Sequence, residues 1–384
     1  MPAERLSRRV MIVAGEASGD LHGAKLLHAL KKLHPDMDCY GIGGERMRQA
    51  GFHSLVDVSE LSVIGLTEAV KHYRRLRKIL NRMKEELQLN RPEVLVLIDS
   101  PDFNLPLAKA ARKLGIKVLY YISPQIWAWR SSRIRVIKHC VDMMATVFPF
   151  EESFYRDAGV PVAYVGHPLV EDAHATADRA ALIRSMGLDA EKRIVGIFPG
   201  SRESEIEHNL PVLVQSALAL SKRLGNLQFV VPVAPTLPAH MVERYIQHTP
   251  ADITATNSDI YDVIDACDAV AATSGTVTLQ VTLMQTPMVI LYRVSPLTYL
   301  ILKRLVNFSY AGIANVIADR EICREFIQHE ASPENIAGEL ERLLSDPAYT
   351  DRMKREMGEI RKILGERNGS VETARLALQL IESG

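Results

Sequence analysis

The chain has 384 residues, 47% of them hydrophobic and 24% charged, with a formal net charge of +0. That length accommodates two domains of ordinary size around large cores, and the balance is that of a globular enzyme. It excludes a disordered or fibrous chain, and no global field draws the protein to nucleic acid.

From the N-terminus, Arg5, Arg8 and Arg9 precede an apolar run, Val10–Ala14, that is too short for a signal peptide. No segment approaches membrane-spanning length. Val10–Ala14 reads as a first strand, followed by the turn Gly15-Glu16-Ala17-Ser18-Gly19-Asp20 into a helix through about Leu33. The glycines either serve a tight turn or open a functional loop. Glu16, Ser18 and Asp20 cluster polar groups there and favour the second reading. Asp38–Ile42 is a second strand. Ser62 to Lys71 leads into a helix carrying Arg74, Arg75, Arg77, Lys78 and Arg82, with Leu66, Val70, Tyr73, Leu76, Leu80 and Met83 at helical spacing. An ordinary amphipathic helix explains this. So does a segment docking on a membrane surface, with Val63, Ile64 and Leu66 dipping in and Arg74, Arg75, Arg77 and Lys78 facing anionic headgroups.

Val94–Ile98 is a buried strand that ends at Asp99. A carboxylate at a strand end can serve as general base, and Asp99 is the candidate; Asp102 or Asn104 fits the cap of the following helix. Lys117–Ile122, Met143–Phe148 and Val162–Val165 are further strands. Both tryptophans, Trp127 and Trp129, follow the first of these, as packing residues or as a wall against a sugar or acyl chain. His167, in Gly166-His167-Pro168, is either a turn residue or a polar contact. Polar and small residues from Gly166 to Gly187 mark a seam.

The second half repeats the rhythm with Ile194–Phe198, Leu227–Val231, Ile253–Ala255, Ala269–Ala272 and Met288–Leu291. After the first of these comes Pro199-Gly200-Ser201-Arg202. Strand, glycine, serine, helix is where backbone dipoles hold a phosphate: Gly200 permits close approach, Ser201 can cap the helix, and Arg202 offers a planar fork. Thr273-Ser274-Gly275-Thr276 repeats the pattern, so a nucleoside diphosphate is expected across the two loops. Beyond Pro333 the chain is helical almost to its end. Cys39, Cys140, Cys267 and Cys323 form no CxxC pair, which argues against a zinc site or a disulfide framework; each is expected as a small buried hydrophobe.

Alternating apolar runs and helical patterns predict parallel sheets covered on both faces. We expect two facing doubly wound α/β domains, 1–175 and 176–350, with a helical tail, 351–384, packing back on the first.

Taken in order, Val13–Asp20, Ile98–Asn104, Tyr121–Arg130, Pro149-Phe150-Glu151, Gly166-His167-Pro168, Pro199–Arg202 and Ser274-Gly275-Thr276 resemble the lipid-A-disaccharide synthase family from about residue 10 to 380. The resemblance implies the GT-B glycosyltransferase architecture and an inverting transfer from UDP-2,3-diacylglucosamine to 2,3-diacylglucosamine 1-phosphate. It further implies no metal in the chemical step, work at the inner face of the inner membrane of a Gram-negative bacterium, and a possible homodimer with exchanged C-terminal parts. On this basis Asp99 is the base, with Glu16 and Arg202 completing the catalytic set. UDP is held by Gly200, Ser201, Arg202, Glu205, Ser274, Gly275, Thr276 and Gln280. Ser18, Asp20, Asp102, Trp127 and Asn315 meet the acceptor or its acyl chains. Two positions depart from the family pattern: Gln280 stands where a glutamate is usual, and Ala314 precedes Asn315 where proline is usual. A UDP-sugar epimerase of the same architecture and a non-catalytic nucleotide-sugar-binding protein are the alternatives.

Overall fold

The computed structural model describes residues 8–61, 69–124, 126, 133–235, 237–294, 299 and 310–383. They form two compact units: 1–168 together with 366–384, and 169–365.

The first unit is built on β1 (Arg9–Ala14), α1 (Ala17–Leu33), β2 (Asp38–Gly43), α2 (Glu45–Gln49), β3 (His53–Asp57), α3 (Ala69–Asn90), β4 (Val94–Ile98), α4 (Pro101–Lys113), β5 (Lys117–Tyr121), α5 (Ile134–Cys140), β6 (Met143–Thr146), α6 (Pro149–Asp157) and β7 (Val162–Tyr164). All seven strands are parallel, in the order β3-β2-β1-β4-β5-β6-β7. The register pairs Val10 with Cys39 on one side and with Val94 on the other. Val10–Ala14 and Val94–Ile98 are wholly buried, as central strands covered on both faces must be. The last helix, Gly369–Glu382, belongs to this unit and packs on α1, β4 and β5.

The second unit carries β8 (Arg193–Phe198), β9 (Leu227–Pro232), β10 (Ile253–Thr256), β11 (Ala269–Thr273), β12 (Met288–Tyr292) and β13 (Glu325–Ile327). They too are parallel, ordered β10-β9-β8-β11-β12-β13. Helices Pro333–Ser345 and Pro347–Leu364 complete it.

Two strands escape the sequence patterns, β3 and β13. Both are edge strands, so neither needs a continuous apolar run. Ile122 does not extend β5: its φ of +61° turns the chain out of the sheet. The four cysteines are free and buried.

Candidate functional site

In an open parallel sheet, ligands settle at the carboxyl ends of the strands where the strand order reverses. In the first unit the reversal falls between β1 and β4, so the turns after Ala14 and Ile98 lie side by side. Their contact is very close. A Cβ built on Gly15 would stand 1.9 Å from the Ser100 Cβ, so only glycine fits there. That approach sets Glu16 beside Asp99.

The chain leaves β4 through two consecutive left-handed residues, Asp99 at φ +50° and Ser100 at φ +44°. Such a turn is unfavourable for non-glycine residues and persists only when its surroundings hold it. Two buried groups do so. The Tyr120 hydroxyl donates to the Asp99 carbonyl at 2.6 Å, and the Asn104 amide donates to the carbonyls of Asp99 and Ile98 at 2.7 and 3.1 Å. Burial, and then the negative charge of Glu16, push the Asp99 carboxyl up from 3.8 to about 6. A carboxylate with this affinity for protons suits general-base work near neutral pH.

The expected helix cap differs from the structure. The N-cap position of α4 is Ser100, which makes no side-chain cap, while Asn104 is fully buried and serves the turn. Asp102 is exposed and pairs with Arg133. Ser18 is exposed on the first turn of α1. Asp20 is buried and accepts from the backbone N–H groups of Gly44, Arg46 and Met47 at 2.6, 3.0 and 3.2 Å. Its carboxylate therefore fastens the start of α2. Beyond β5, the Ser123 hydroxyl donates to the buried Glu151 carboxylate at 2.5 Å, and the Phe148 N–H donates to the same carboxylate at 3.1 Å. His167 is half-buried beside the Phe148 ring, 4.9 Å between centroids. Burial and the proximity of His22 hold it neutral, down to about 3. Trp127 lies outside the described residues.

In the second unit the order reverses between β8 and β11, which brings together the two loops singled out for phosphate. Gly200 has φ +116°, and a Cβ there would meet the Glu205 carboxylate at 2.3 Å. The helix Glu203–Arg223 has Arg202, not Ser201, at its N-cap position. The cap comes from Glu205, whose carboxylate accepts from the N–H groups of Ser201 and Arg202 at 2.8 and 3.3 Å. An anionic oxygen thus already sits on the loop's donors, which shows how their dipoles converge. The Arg202 side chain is 75% exposed, 3.6 Å from that carboxylate. The buried Asn209 amide donates to the Pro199 and Glu205 carbonyls and braces the loop from beneath.

In the second loop the Ser274 hydroxyl donates to the Ala311 carbonyl at 2.6 Å, and the Thr278 hydroxyl to the Gly275 carbonyl at 2.7 Å. Gly275 and Thr276 are exposed at the mouth of their helix, and Gln280 is half-buried near the Tyr261 phenol. Asn315 is fully buried. Its amide donates to the Cys323 carbonyl and to Glu325, and accepts from the N–H groups of Ile322 and Cys323. Glu325 in turn accepts from the N–H groups of Ala311 and Gly312. Asn315 is thus an anchor for the segment that holds Ser274. Sequence reasoning singled out Glu325 with Asn315 as part of a polar set but missed Tyr120 and Asn209, two buried polar groups. Tyr120 signals itself only as a polar letter within an apolar run, and Asn209 sits among the polar residues that open its helix.

The membrane-patch residues Val63, Ile64 and Leu66 lie outside the described residues. Arg74, Arg75, Arg77 and Lys78 are exposed on α3, with Arg75 3.0 Å from Glu60. Tyr73 beside them is 66% exposed. Among the described residues no helix is long and apolar enough to cross a membrane.

The model of the Lipid-A-disaccharide synthetase family matches residues 10–381. The chain is 45% identical over 378 residues to the lipid-A-disaccharide synthase of Geobacter sulfurreducens, covering 98% of each chain. It is 46% identical over 375 residues to that of Trichlorobacter lovleyi, again 98% of each. Among solved structures it resembles the UDP-GlcNAc 2-epimerase from Neisseria meningitidis bound to UDP-GlcNAc, with a TM-score of 0.66, 11% identity and coverage of 98% and 100%. The glycotransferase of kitacinnamycin gives a TM-score of 0.65 at 13% identity, with coverage of 98% and 99%. At such identities the structural likeness establishes the GT-B-like fold alone.

Proposed function

The chain belongs to the lipid-A-disaccharide synthetase family of glycosyltransferases, and on that premise we propose that it joins UDP-2,3-diacylglucosamine to 2,3-diacylglucosamine 1-phosphate with inversion, releasing UDP. The first unit holds the acceptor. Asp99 accepts the proton of the acceptor 6-hydroxyl as its oxygen bonds to the anomeric carbon of the donor. The bond from that carbon to the diphosphate breaks, and its electron pair leaves with UDP. The second unit holds UDP, with Gly200, Ser201, Ser274, Gly275 and Thr276 around the diphosphate and Gln280 toward the ribose. Arg202 and the loop dipoles stabilise the charge that grows on the leaving group. Glu205 moves off the loop amides as the diphosphate arrives. Glu16 keeps the proton affinity of Asp99 high by its charge.

The observation that carries this reading is the Asp99 carboxyl, raised to about 6 on a strained turn at the strand-order reversal. A carboxylate serving only as a helix cap has no need of that environment. The epimerase reading is not favoured, because the epimerases share the fold alone while the relatives at 45–46% identity are synthases. The enzyme meets its acylated substrates at the cytoplasmic surface of the inner membrane, through α3 and the segment before it. The exposed Tyr73 among the cations of α3 fits a headgroup interface. Incubation with each acylated substrate alone and then with both tests the assignment. UDP released only with both supports transfer; release or epimer formed from the donor alone refutes it.

A further inference from the structure

Helices α3, α4 and α5 lie side by side, α4 packing against both neighbours. Between α4 and α5 runs a groove of about 530 Å³. Lys109, Arg112 and Lys113 line one wall and Arg135 and His139 the other, over a floor that includes Cys140. The spacing of the three α4 cations, at positions i, i+3 and i+4, puts them on one helix face. Like charges at that spacing repel, while Arg112 and Lys113 also lie in the last turn of α4, where the helix dipole favours cations. Among the described residues Arg112 has a carboxylate partner, Asp142 at 3.0 Å, and that carboxylate also accepts the Val118 N–H at 2.8 Å. Among the described residues Lys109, Lys113, Arg135 and His139 make no ion pair. The groove therefore concentrates uncompensated positive charge in a chain whose net charge is +0.

We propose that this groove receives the phosphate of an anionic lipid headgroup, so that the α3–α5 layer as a whole, and not α3 alone, meets the bilayer. The proposal rests on the reading that α3 docks at a membrane surface. Three observations favour a headgroup as the occupant. The groove belongs to the same helical layer as the exposed cations of α3, at the opposite end of that layer, beside Asp142 and the start of β5. It is lined by ammonium and guanidinium groups from two helices, which suits the acceptor oxygens of a phosphate. Its floor is apolar, so glycerol carbons can rest there.

Co-sedimentation with vesicles of phosphatidylcholine, with and without phosphatidylglycerol, tests the proposal. The variants are Lys109→Ser/Lys113→Ser/Arg135→Ser for the groove and Arg74→Ser/Arg77→Ser/Lys78→Ser for α3. Each near-surface cation is worth about fivefold in affinity, so the groove variant should bind phosphatidylglycerol vesicles roughly a hundredfold more weakly at low salt. Its melting temperature should not change, because the substituted side chains are exposed. Lys109→Arg/Lys113→Arg should bind like the wild type. If the groove variant binds as the wild type does, the proposal fails, and loss in the α3 variant alone would leave the α3 reading intact. Loss in the groove variant alone would remove α3 from the membrane face and overturn the proposal that the α3–α5 layer docks as a whole. If inorganic phosphate titrates into the groove by calorimetry while vesicle binding ignores the groove substitutions, the site is one for free anions and the proposal is overturned.

Discussion

Replacing Asp99 by asparagine should make the protein more stable and nearly inactive at once. Asparagine tolerates the left-handed φ of +50° at this position, which alanine does not, so the substitution removes the charge without straining the turn. A carboxyl raised from 3.8 to about 6 disfavours its charged form in the native state by about 3 kcal/mol. Asp99 retains some exposure, and solvent relaxes part of that penalty, leaving about 1–2 kcal/mol. The folded protein holds this proton more tightly than the unfolded chain. The favourable contribution is therefore full below pH ~4 and lost as pH rises through about 6. At pH 8 the Asn variant should melt roughly 2–8 °C above the wild type, and below pH 4 the two should coincide. Turnover should fall by about two to four orders of magnitude, the usual range for a general base. In the wild type, kcat/KM should drop tenfold per pH unit below about 6. Calorimetric melting at several pH values, with a UDP-release assay, reads both effects. Equal melting temperatures at pH 8 would refute the electrostatic account of Asp99, and near-full activity of the variant would refute its role as base.

Arg202→Ala should weaken UDP binding by about 1.5–3 kcal/mol and slow the chemical step, since a charge-assisted contact is lost. Arg202→Lys should recover only part of this; unchanged UDP affinity by calorimetry in the Ala variant removes Arg202 from the site. Asn315→Ala strands the N–H groups of Ile322 and Cys323 and one side of Glu325, so thermal unfolding should show a loss of about 2–4 kcal/mol. A change within about 0.5 kcal/mol would mean that the anchor is dispensable. Exchanging Arg74, Arg75, Arg77 and Lys78 for serine should lower activity on vesicle-borne substrate and spare activity on detergent-dispersed substrate; equal activity on both would leave α3 as ordinary packing.

The central strands are readable because β1, β4 and β8 are buried on both faces and must be apolar almost throughout. The edge strands β3 and β13 are not readable, since β3 is mostly half-buried with mixed residues and β13 is three residues long and opens on the buried Glu325. The loops after Phe198 and Thr273 announce themselves through glycine, serine and threonine, but their adjacency depends on strand order, which no local pattern encodes. Asp99 stands out by its place after an apolar run. The left-handed turn beneath it has no such signal, because Asp-Ser is an unusual pair for that geometry and is held from outside by Tyr120 and Asn104. Asn104 sits where a cap is expected and is used otherwise. The capping role of Glu205 is hidden because the residue before the helix is arginine and not the serine or threonine of the usual motif. Asp20 suggests a ligand contact as a polar residue in a glycine-rich turn, and no local pattern announces its partners in the structure, the backbone amides of Gly44, Arg46 and Met47, more than twenty residues on.

Proton and carbon NMR of the products formed from UDP-2,3-diacylglucosamine, with and without 2,3-diacylglucosamine 1-phosphate, tests glycosyl transfer most directly. The α-linked donor should give a β-linked disaccharide and one UDP per bond formed, and only when the acceptor is present. A product that keeps the α configuration, or an epimerised UDP-sugar formed from the donor alone, would contradict the account.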